Sequence, residues 1–166
     1  ENYTDDNSAF DVAIEFETDE GAKGIWGIEC KYTDTFSSKV YDKPAYRNIY
    51  DTNRSLFTAS YEDCISPHYN QLFRNHLITL ALSQNKKFDI AFSGLFCHQD
   101  DNKAIEIGKK FQKFFVGGEK SFRIVTYADY ISTIQRLSEI TWGQREWSML
   151  LWARYCAQQL SEVIAR

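Results

Sequence analysis

The sequence predicts an α/β protein in which a mixed β-sheet carries helices. Three observations lead to this prediction. Residues 10–17 and 25–32 are strand-like and flank a turn rich in Asp, Glu and Gly, as in a β-hairpin. Residues 89–96 form a nearly continuous apolar run, which suits a central strand. The helical and strand segments that follow complete the order β-β-α-β-α-β-α-α.

The hairpin has a polar face and an apolar face. Pairing centred on Gly21 places Asp11 opposite Lys31 and Ala13 opposite Glu29. Because side chains alternate along a strand, Asp11, Glu29 and Lys31 are predicted to share one face. The opposite face is predicted to be buried and holds Val12, Ile14, Phe16, Ile28 and Cys30.

The middle of the chain is predicted to contain one long helix. Residues 33–65 lack a clear period, and we interpret them as an ordered connection with at most a short helix. Ser66 and Pro67 suit the N-cap and first position of a helix that runs to about Ser83. Its apolar side holds Tyr69, Leu72, Phe73, His76, Leu77 and Leu80, and its other side holds Gln71, Arg74, Asn75 and Ile78.

The last third of the chain alternates helix and strand. A helix at residues 103–115 is predicted to end at the two glycines 117 and 118, followed by a strand at 121–126 and a helix at 127–137. A final helix is predicted at residues 141–165. Its apolar residues favour core or dimer packing over base stacking and are Trp147, Leu150, Leu151, Trp152 and Tyr155.

Length and composition bound the class of protein. The 166 residues suit a single domain, 1–166, with a sizeable core. No apolar run approaches the roughly 18 residues of a membrane span, and no secretory signal opens the sequence. We therefore expect a cytoplasmic protein with no membrane association. The four cysteines form no CxxC pair, so reduced thiols are expected and structural zinc is not.

The charge is unevenly distributed along the chain. The net charge of −4 argues at first against a nucleic-acid partner. Residues 1–20, however, hold eight acidic residues and no Lys or Arg, so the remainder has 19 basic residues against 15 acidic ones. A modest basic surface beside an acidic pocket is compatible with DNA.

The residues Asp11 and Glu29-Cys30-Lys31 resemble the motif of the PD-(D/E)XK nuclease superfamily. The run I-E-C-K-Y-T-D is similar to a bacterial restriction-endonuclease-related branch, and the likeness continues through residues 69–77. The resemblance implies a restriction-endonuclease-like mixed sheet with flanking helices. It also implies a metal-dependent nuclease that hydrolyses DNA phosphodiesters.

The motif residues suit phosphodiester hydrolysis. Mg²⁺, with Mn²⁺ as a substitute, prefers hard oxygen ligands, which Asp11, Glu29 and the backbone carbonyl of Cys30 would provide. Lys31 would orient the attacking water or stabilise charge on the phosphate. The alternative is a solvent-facing strand pair with an Asp11–Lys31 ion pair, which stabilises by about a few tenths of a kcal/mol.

Further polar residues are candidates for supporting groups. Glu15 shares the face of Asp11 and is either an outer ligand or, the favoured reading, an exposed strand carboxylate. Gln71, Arg74 and Asn75 either turn toward the metal pocket or form a solvated helix face. His76 is predicted to be a core histidine, and Asp101 a helix N-cap in a polar loop.

One departure from the superfamily pattern bears on activity. The superfamily core places a helix and a strand before the motif Asp, whereas only ten residues precede Asp11. We therefore expect the first helix and strand to be lacking and a sheet edge to be open. A catalytically silent module that binds nucleic acid or protein remains the alternative function, and double-strand cleavage would favour a homodimer.

Overall fold

A four-stranded mixed sheet lies at the centre of the fold. The computed structural model describes residues 3–32 and 34–157. The first two strands are antiparallel, and the remaining pairs are parallel. In spatial order the strands are β1 (Val12–Glu17), β2 (Lys23–Lys31), β3 (Ile90–Cys97) and β4 (Phe122–Thr126). The predicted mixed sheet, with the 89–96 segment in a central position, is confirmed.

Helices flank the sheet and connect its parallel strands. Short 3₁₀ turns occupy Arg54–Leu56 and Gly118–Lys120. The α-helices in the described part of the chain are α1 (Pro44–Thr52), α2 (Tyr61–Cys64), α3 (Asn70–Gln84), α4 (Asn102–Gln112), α5 (Tyr127–Arg136) and α6 (Trp142–Tyr155).

The hairpin register differs from the prediction by two residues. Glu17 pairs with Lys23, and Ala13 pairs with Gly27 instead of Glu29. The turn is tighter because Thr18 N donates to Ala22 O at 2.9 Å. A two-residue shift leaves every side chain on its predicted face, whereas a one-residue shift would have exchanged the faces. Glu29 and Lys31 therefore lie on one face, as predicted, despite the wrong partners.

The connection at 33–65 is more helical than predicted. It contains α1, which starts at Pro44, and α2, where Ser60 and Asp63 form a capping box. The predicted start of the next helix at Ser66 is wrong, because the Ser66 carbonyl accepts from Tyr69 N and Asn70 N in a turn. The helix begins at Asn70 instead.

The remaining helices are close to their predicted positions. Asp101 caps α4 as expected, its Oδ1 accepting from Ala104 N at 2.8 Å. This helix ends at Gln112, before the predicted glycine stop. The final helix begins as predicted after Thr141 but ends at Tyr155, and residues 158–165 of the predicted span lie outside the described residues.

The aromatic core lies between α3, α4 and one face of the sheet. His76 belongs to it, as predicted. Its Nδ1 lies 2.8 Å from Ser93 Oγ, and its ring lies 4.1 Å from that of Phe115. Burial lowers the pKa of His76 to about 3. The fully buried residues around it include Tyr46, Leu72, Phe73, Leu77, Leu95, Phe111 and Phe122.

The opposite face of the sheet lines an apolar groove of about 620 Å³, bounded across from the sheet by α5 and α6. Ile28 on this face is buried, as predicted. Val12 and Ile14 also line the groove but remain 43% and 42% exposed. Their predicted burial is wrong, because β1 is an edge strand with no neighbour beyond it among the described strands. The expected open edge is thus present in the described chain.

The described part of the chain contains no candidate for a membrane span. Among the described residues, every helix is too short or too polar to cross a bilayer.

Candidate active site

The alternation of β2 brings the motif residues to the face that packs on α3. Glu29 is only 3% exposed and Lys31 only 4%. Cys30, between them, points to the groove side of the sheet. Burial of two charged side chains is costly unless each is paired and hydrogen-bonded. The contacts of Glu29 and Lys31 therefore decide how the site is held.

Glu29 accepts hydrogen bonds from three side chains. Lys31 Nζ donates to Glu29 Oε1 at 2.8 Å, and Gln71 Nε2 donates to the same oxygen. Asn75 Nδ2 donates to Oε2 at 2.7 Å. Burial raises the pKa of Glu29 above its ordinary value, and the nearby charge of Asp11 acts in the same direction. The donors oppose that shift and favour the ionised carboxylate.

Lys31 is held between two carboxylates. Its Nζ contacts Glu29 Oε1 at 2.8 Å and Asp34 Oδ2 at 2.9 Å. Burial alone would lower the pKa of Lys31, but the hydrogen bonds to Glu29 and Asp34 outweigh it and raise the pKa. The ammonium is therefore charged and fixed in position at neutral pH.

Asp11 lies at the start of the hairpin, just before β1. Its Oδ2 accepts a hydrogen bond of 2.8 Å from Cys30 N, the amide that joins Cys30 to Glu29. Its own backbone N–H donates to Ile28 O at 3.1 Å. The structure thus brings Asp11 beside the Glu29–Cys30 peptide, and its charge is close enough to influence the Glu29 carboxyl.

The three polar residues predicted on this side of α3 differ in whether they reach the site. Gln71 and Asn75, one helical turn apart, both reach Glu29. Arg74 does not, since its guanidinium carbon lies 4.6 Å from the centroid of the Tyr41 ring. Gln71 also accepts from Ser37 N at 3.4 Å, which connects the loop after β2 to the site.

Glu15 lies away from this cluster. It is exposed and pairs with Ile25, four positions before Glu29 on β2. This placement agrees with the favoured reading of an exposed strand carboxylate.

Asp34 is a site residue that the sequence reasoning missed. It is exposed, yet its carboxylate pairs with the buried Lys31, which lowers the Asp34 pKa. The signal was present in the I-E-C-K-Y-T-D run, where Asp34 follows Lys31 by three positions.

Comparison with known proteins identifies the family of this chain. The family model of the PD-(D/E)XK nuclease superfamily matches residues 1–157. The chain belongs to the PD-(D/E)XK nuclease superfamily. No curated protein and no solved structure matches it. The mixed sheet and flanking helices are consistent with the restriction-endonuclease-like fold of this superfamily.

The donor set of this superfamily member fits a hard divalent cation. In residues 3–32 and 34–157, no group of three or more His, Cys, Asp or Glu side chains is arranged to hold a metal. Mg²⁺ keeps several waters and needs only one or two carboxylates. An ionised carboxylate has about four acceptor positions, so the three donors on Glu29 do not exhaust its capacity. Asp11 and Glu29, with the Cys30 carbonyl, would hold such an ion.

Proposed function

We propose that this chain is a divalent-metal-dependent nuclease that hydrolyses DNA phosphodiester bonds. Asp11, Glu29 and the Cys30 carbonyl bind Mg²⁺, with Mn²⁺ as a substitute, and Lys31 is the catalytic ammonium. DNA is the substrate, and the cytoplasm is the proposed location. Membership of the nuclease superfamily supports the reaction class.

The observation that carries this proposal is the buried Glu29–Lys31 pair. In a surface ion pair the two side chains can adopt many positions, and the pair contributes little to stability. Here Gln71, Asn75 and Lys31 converge on the Glu29 carboxylate, and Asp34 also holds the Lys31 ammonium. Preorganised charges of this kind act on charge that develops in a transition state without reorganising during the reaction.

Each motif residue has a distinct role in this proposal. A bound divalent cation supplies a water of lowered pKa and neutralises charge on the phosphate. Glu29 and Asp11 provide its anionic ligands. Lys31, kept protonated by Glu29 and Asp34, donates to the attacking water or to a phosphoryl oxygen. Gln71 and Asn75 position Glu29 through their hydrogen bonds to its carboxylate.

The test is metal titration by calorimetry beside a plasmid-nicking assay. Asp11→Ala and Glu29→Ala each remove an anionic ligand, so metal binding and cleavage should weaken together. Lys31→Ala leaves both carboxylates and removes a neighbouring positive charge, so metal binding should persist or strengthen. Its turnover should fall by about two orders of magnitude, as on loss of one preorganised contact. Glu15→Ala, which removes an exposed carboxylate of β1, is the matched control.

Two outcomes would contradict the proposal. Cleavage that persists in chelator would exclude the metal-dependent mechanism, and a Lys31→Ala variant as fast as the parent would exclude the role of Lys31. Tight DNA binding without cleavage under any divalent metal would instead support the catalytically silent binding module. DNA affinity should change little in Lys31→Ala, because phosphate contacts are spread along a surface.

A further inference from the structure

Asp11 reaches the site from an irregular segment instead of from a strand. Residues 3–10, here called the N-terminal strap, lie outside the strands, and β1 begins only at Val12. Glu29, the other proposed carboxylate ligand, lies inside β2 and is held by three side chains. A ligand beside irregular backbone is located only as well as the contacts around it are fixed. The contacts of the N-terminal strap therefore decide where the Asp11 carboxylate lies.

The ring of Phe10 lies where a side chain of residue 27 would be. A Cβ atom added to Gly27 would fall 2.5 Å or less from the Phe10 ring atoms Cδ1, Cε1 and Cζ. These distances are far below van der Waals contact, so only glycine leaves room for the ring in this position. Because side chains alternate along β2, the missing Cβ points to the face that carries Glu29 and Lys31. Phe10 thus packs on the site face, two positions along β2 from Glu29.

The residue that follows Phe10 makes two hydrogen bonds to β2. Asp11 N donates to Ile28 O at 3.1 Å, and Asp11 Oδ2 accepts from Cys30 N at 2.8 Å. Gly27, which the Phe10 ring covers, directly precedes Ile28 in the chain. One packing contact and two hydrogen bonds therefore fasten two consecutive residues to the motif strand.

The other end of the N-terminal strap is tied to α1. Asp6 accepts hydrogen bonds from Thr4 Oγ1 at 2.8 Å, from Ser8 N and Oγ at 2.9 Å each, and from Tyr46 OH. Both Thr4 and Tyr46 are buried. Only three residues separate Asp6 from Phe10, so the chain has little slack between its two attachments.

We propose that Phe10 and Gly27 are positioning residues, whose contact keeps the Asp11 carboxylate at the Cys30 amide. The importance of this contact for metal binding rests on the proposed function, in which Asp11 and Glu29 hold the cation. Phe10 has no polar side-chain group and Gly27 has no side chain, so their effect on the site passes through Asp11. Displacement of the ring removes the packing that orients the end of the strap, and the carboxylate then moves away from Cys30.

Hydrogen exchange of the Cys30 amide, measured by NMR without metal or DNA, tests this contact directly. Gly27→Ala places a methyl group where the ring lies, and Phe10→Ala removes the ring. Each should lower the protection of the Cys30 amide by about ten-fold, toward its value in Asp11→Ala, because the hydrogen bond to Asp11 opens more often. Cys30 protection equal to that of the parent in either variant would overturn the proposal.

The same strand offers a matched control. A Cβ atom added to Gly24 would fall within 2.6 Å of three ring atoms of Phe16, its pairing partner near the turn of the hairpin. Gly24→Ala therefore makes the same change against the same kind of ring. It should leave Cys30 protection and metal affinity within about two-fold of the parent values. Urea unfolding gives the stability of every variant. A loss of Cys30 protection in Gly24→Ala as large as in Gly27→Ala would contradict a local role.

Calorimetric titration with Mg²⁺ separates positioning from a general structural role. Gly27→Ala and Phe10→Ala should each raise the Kd for Mg²⁺ by about 10–100-fold, as for other groups that orient a metal ligand. In the Asp11→Ala background the same changes should alter the Kd by no more than about two-fold, because the ligand they position is absent. An equal loss of affinity in both backgrounds would overturn the proposal. A parent protein that binds no divalent cation would instead contradict the proposed function, and Cys30 exchange would still decide whether Phe10 and Gly27 position Asp11.

Discussion

Asn75 and Glu29 lie 46 positions apart in the chain, yet Asn75 Nδ2 donates a hydrogen bond of 2.7 Å to Glu29 Oε2. Both residues are buried. This contact ties α3 to the centre of the motif strand. It satisfies the oxygen of Glu29 that Lys31 and Gln71 do not reach.

Asn75→Ala should lower both stability and activity. It leaves a buried carboxylate oxygen without its donor, at a cost of about 1–3 kcal/mol in the free energy of unfolding. It also removes a group that lowers the pKa of Glu29, so metal binding should be lost at a higher pH as the solution is acidified. Cleavage should fall about 10–100-fold, as for other groups that orient a metal ligand.

Urea unfolding, calorimetric metal titration between pH 5 and 8, and nicking rates measure these effects for Asn75→Ala. Gln84→Ala removes an amide from the exposed last residue of the same helix and serves as the control. Equal metal affinity for Asn75→Ala and the parent at every pH would show that Asn75 does not orient Glu29.

Asp34→Asn should shift the alkaline limb of the pH–rate profile to lower pH. The Lys31 pKa is raised by Glu29 and Asp34 together, so loss of the Asp34 charge reduces that rise. The catalytic ammonium then loses its proton at a lower pH. Nicking rates from pH 7 to 11 check this shift, while metal affinity at neutral pH should stay near the parent value. An unchanged alkaline limb would mean that Asp34 is a passive neighbour.

His76→Leu should make the protein less sensitive to acid. Burial lowers the His76 pKa from an ordinary 6.5 to about 3. Between these values the unfolded chain binds a proton that the folded chain does not, so acidification favours unfolding. Leucine cannot bind a proton, so the variant lacks this dependence of stability on pH. The free energy of unfolding, measured in urea at pH 7 and pH 4, should therefore fall less on acidification in the variant. A fall as steep as that of the parent would refute the assignment.

Asp6→Asn should destabilise the protein at neutral pH but not near pH 2. Burial alone would raise the Asp6 pKa, but hydrogen bonds from Tyr46, Ser8 and Thr4 outweigh it and lower the pKa to about 2. A lowered carboxyl pKa contributes stability above its ordinary value of 3.8, and this stability is lost as pH falls through about 2.

The expected cost of Asp6→Asn at pH 7 is about 1 kcal/mol, discounted because the carboxylate is partly exposed and screened by solvent. Chemical unfolding at pH 7 and pH 2 measures it. Asp5→Asn changes an exposed neighbouring carboxylate and is the control. Equal costs for Asp6→Asn at the two pH values would show that the contribution does not come from the ionised form.

The site face of the hairpin could be predicted because strand alternation depends only on odd and even positions. The pairing error of two residues at Ala13 left Glu29 and Lys31 on the correct face. The strand at 89–96 was also predictable, since a long apolar run between polar segments suits a central strand.

Other features depended on contacts between distant segments. Gln71 and Asn75 looked equally suited to solvent or to the site, and only the packing of α3 on β2 decides between them. The start at Ser66 had sound local capping chemistry, but its carbonyl closes a separate turn before the helix. The apolar content of α6 did not indicate how much of the helix is buried, because one of its apolar faces is exposed in the described chain.

The two-sided character of β2 constrains how this sequence can change. Glu29 and Lys31 face α3, while Trp26, Ile28 and Cys30 face the groove. Insertion or deletion of a single residue within β2 would place a charged pair among aromatic rings and turn a tryptophan toward the metal ligands. Insertions and deletions should therefore be tolerated in the loop before α1. They should be rare or absent within Lys23–Lys31. As the sequence evolves, the number of residues from Trp26 to Lys31 should stay constant even where most of the residues between them are replaced.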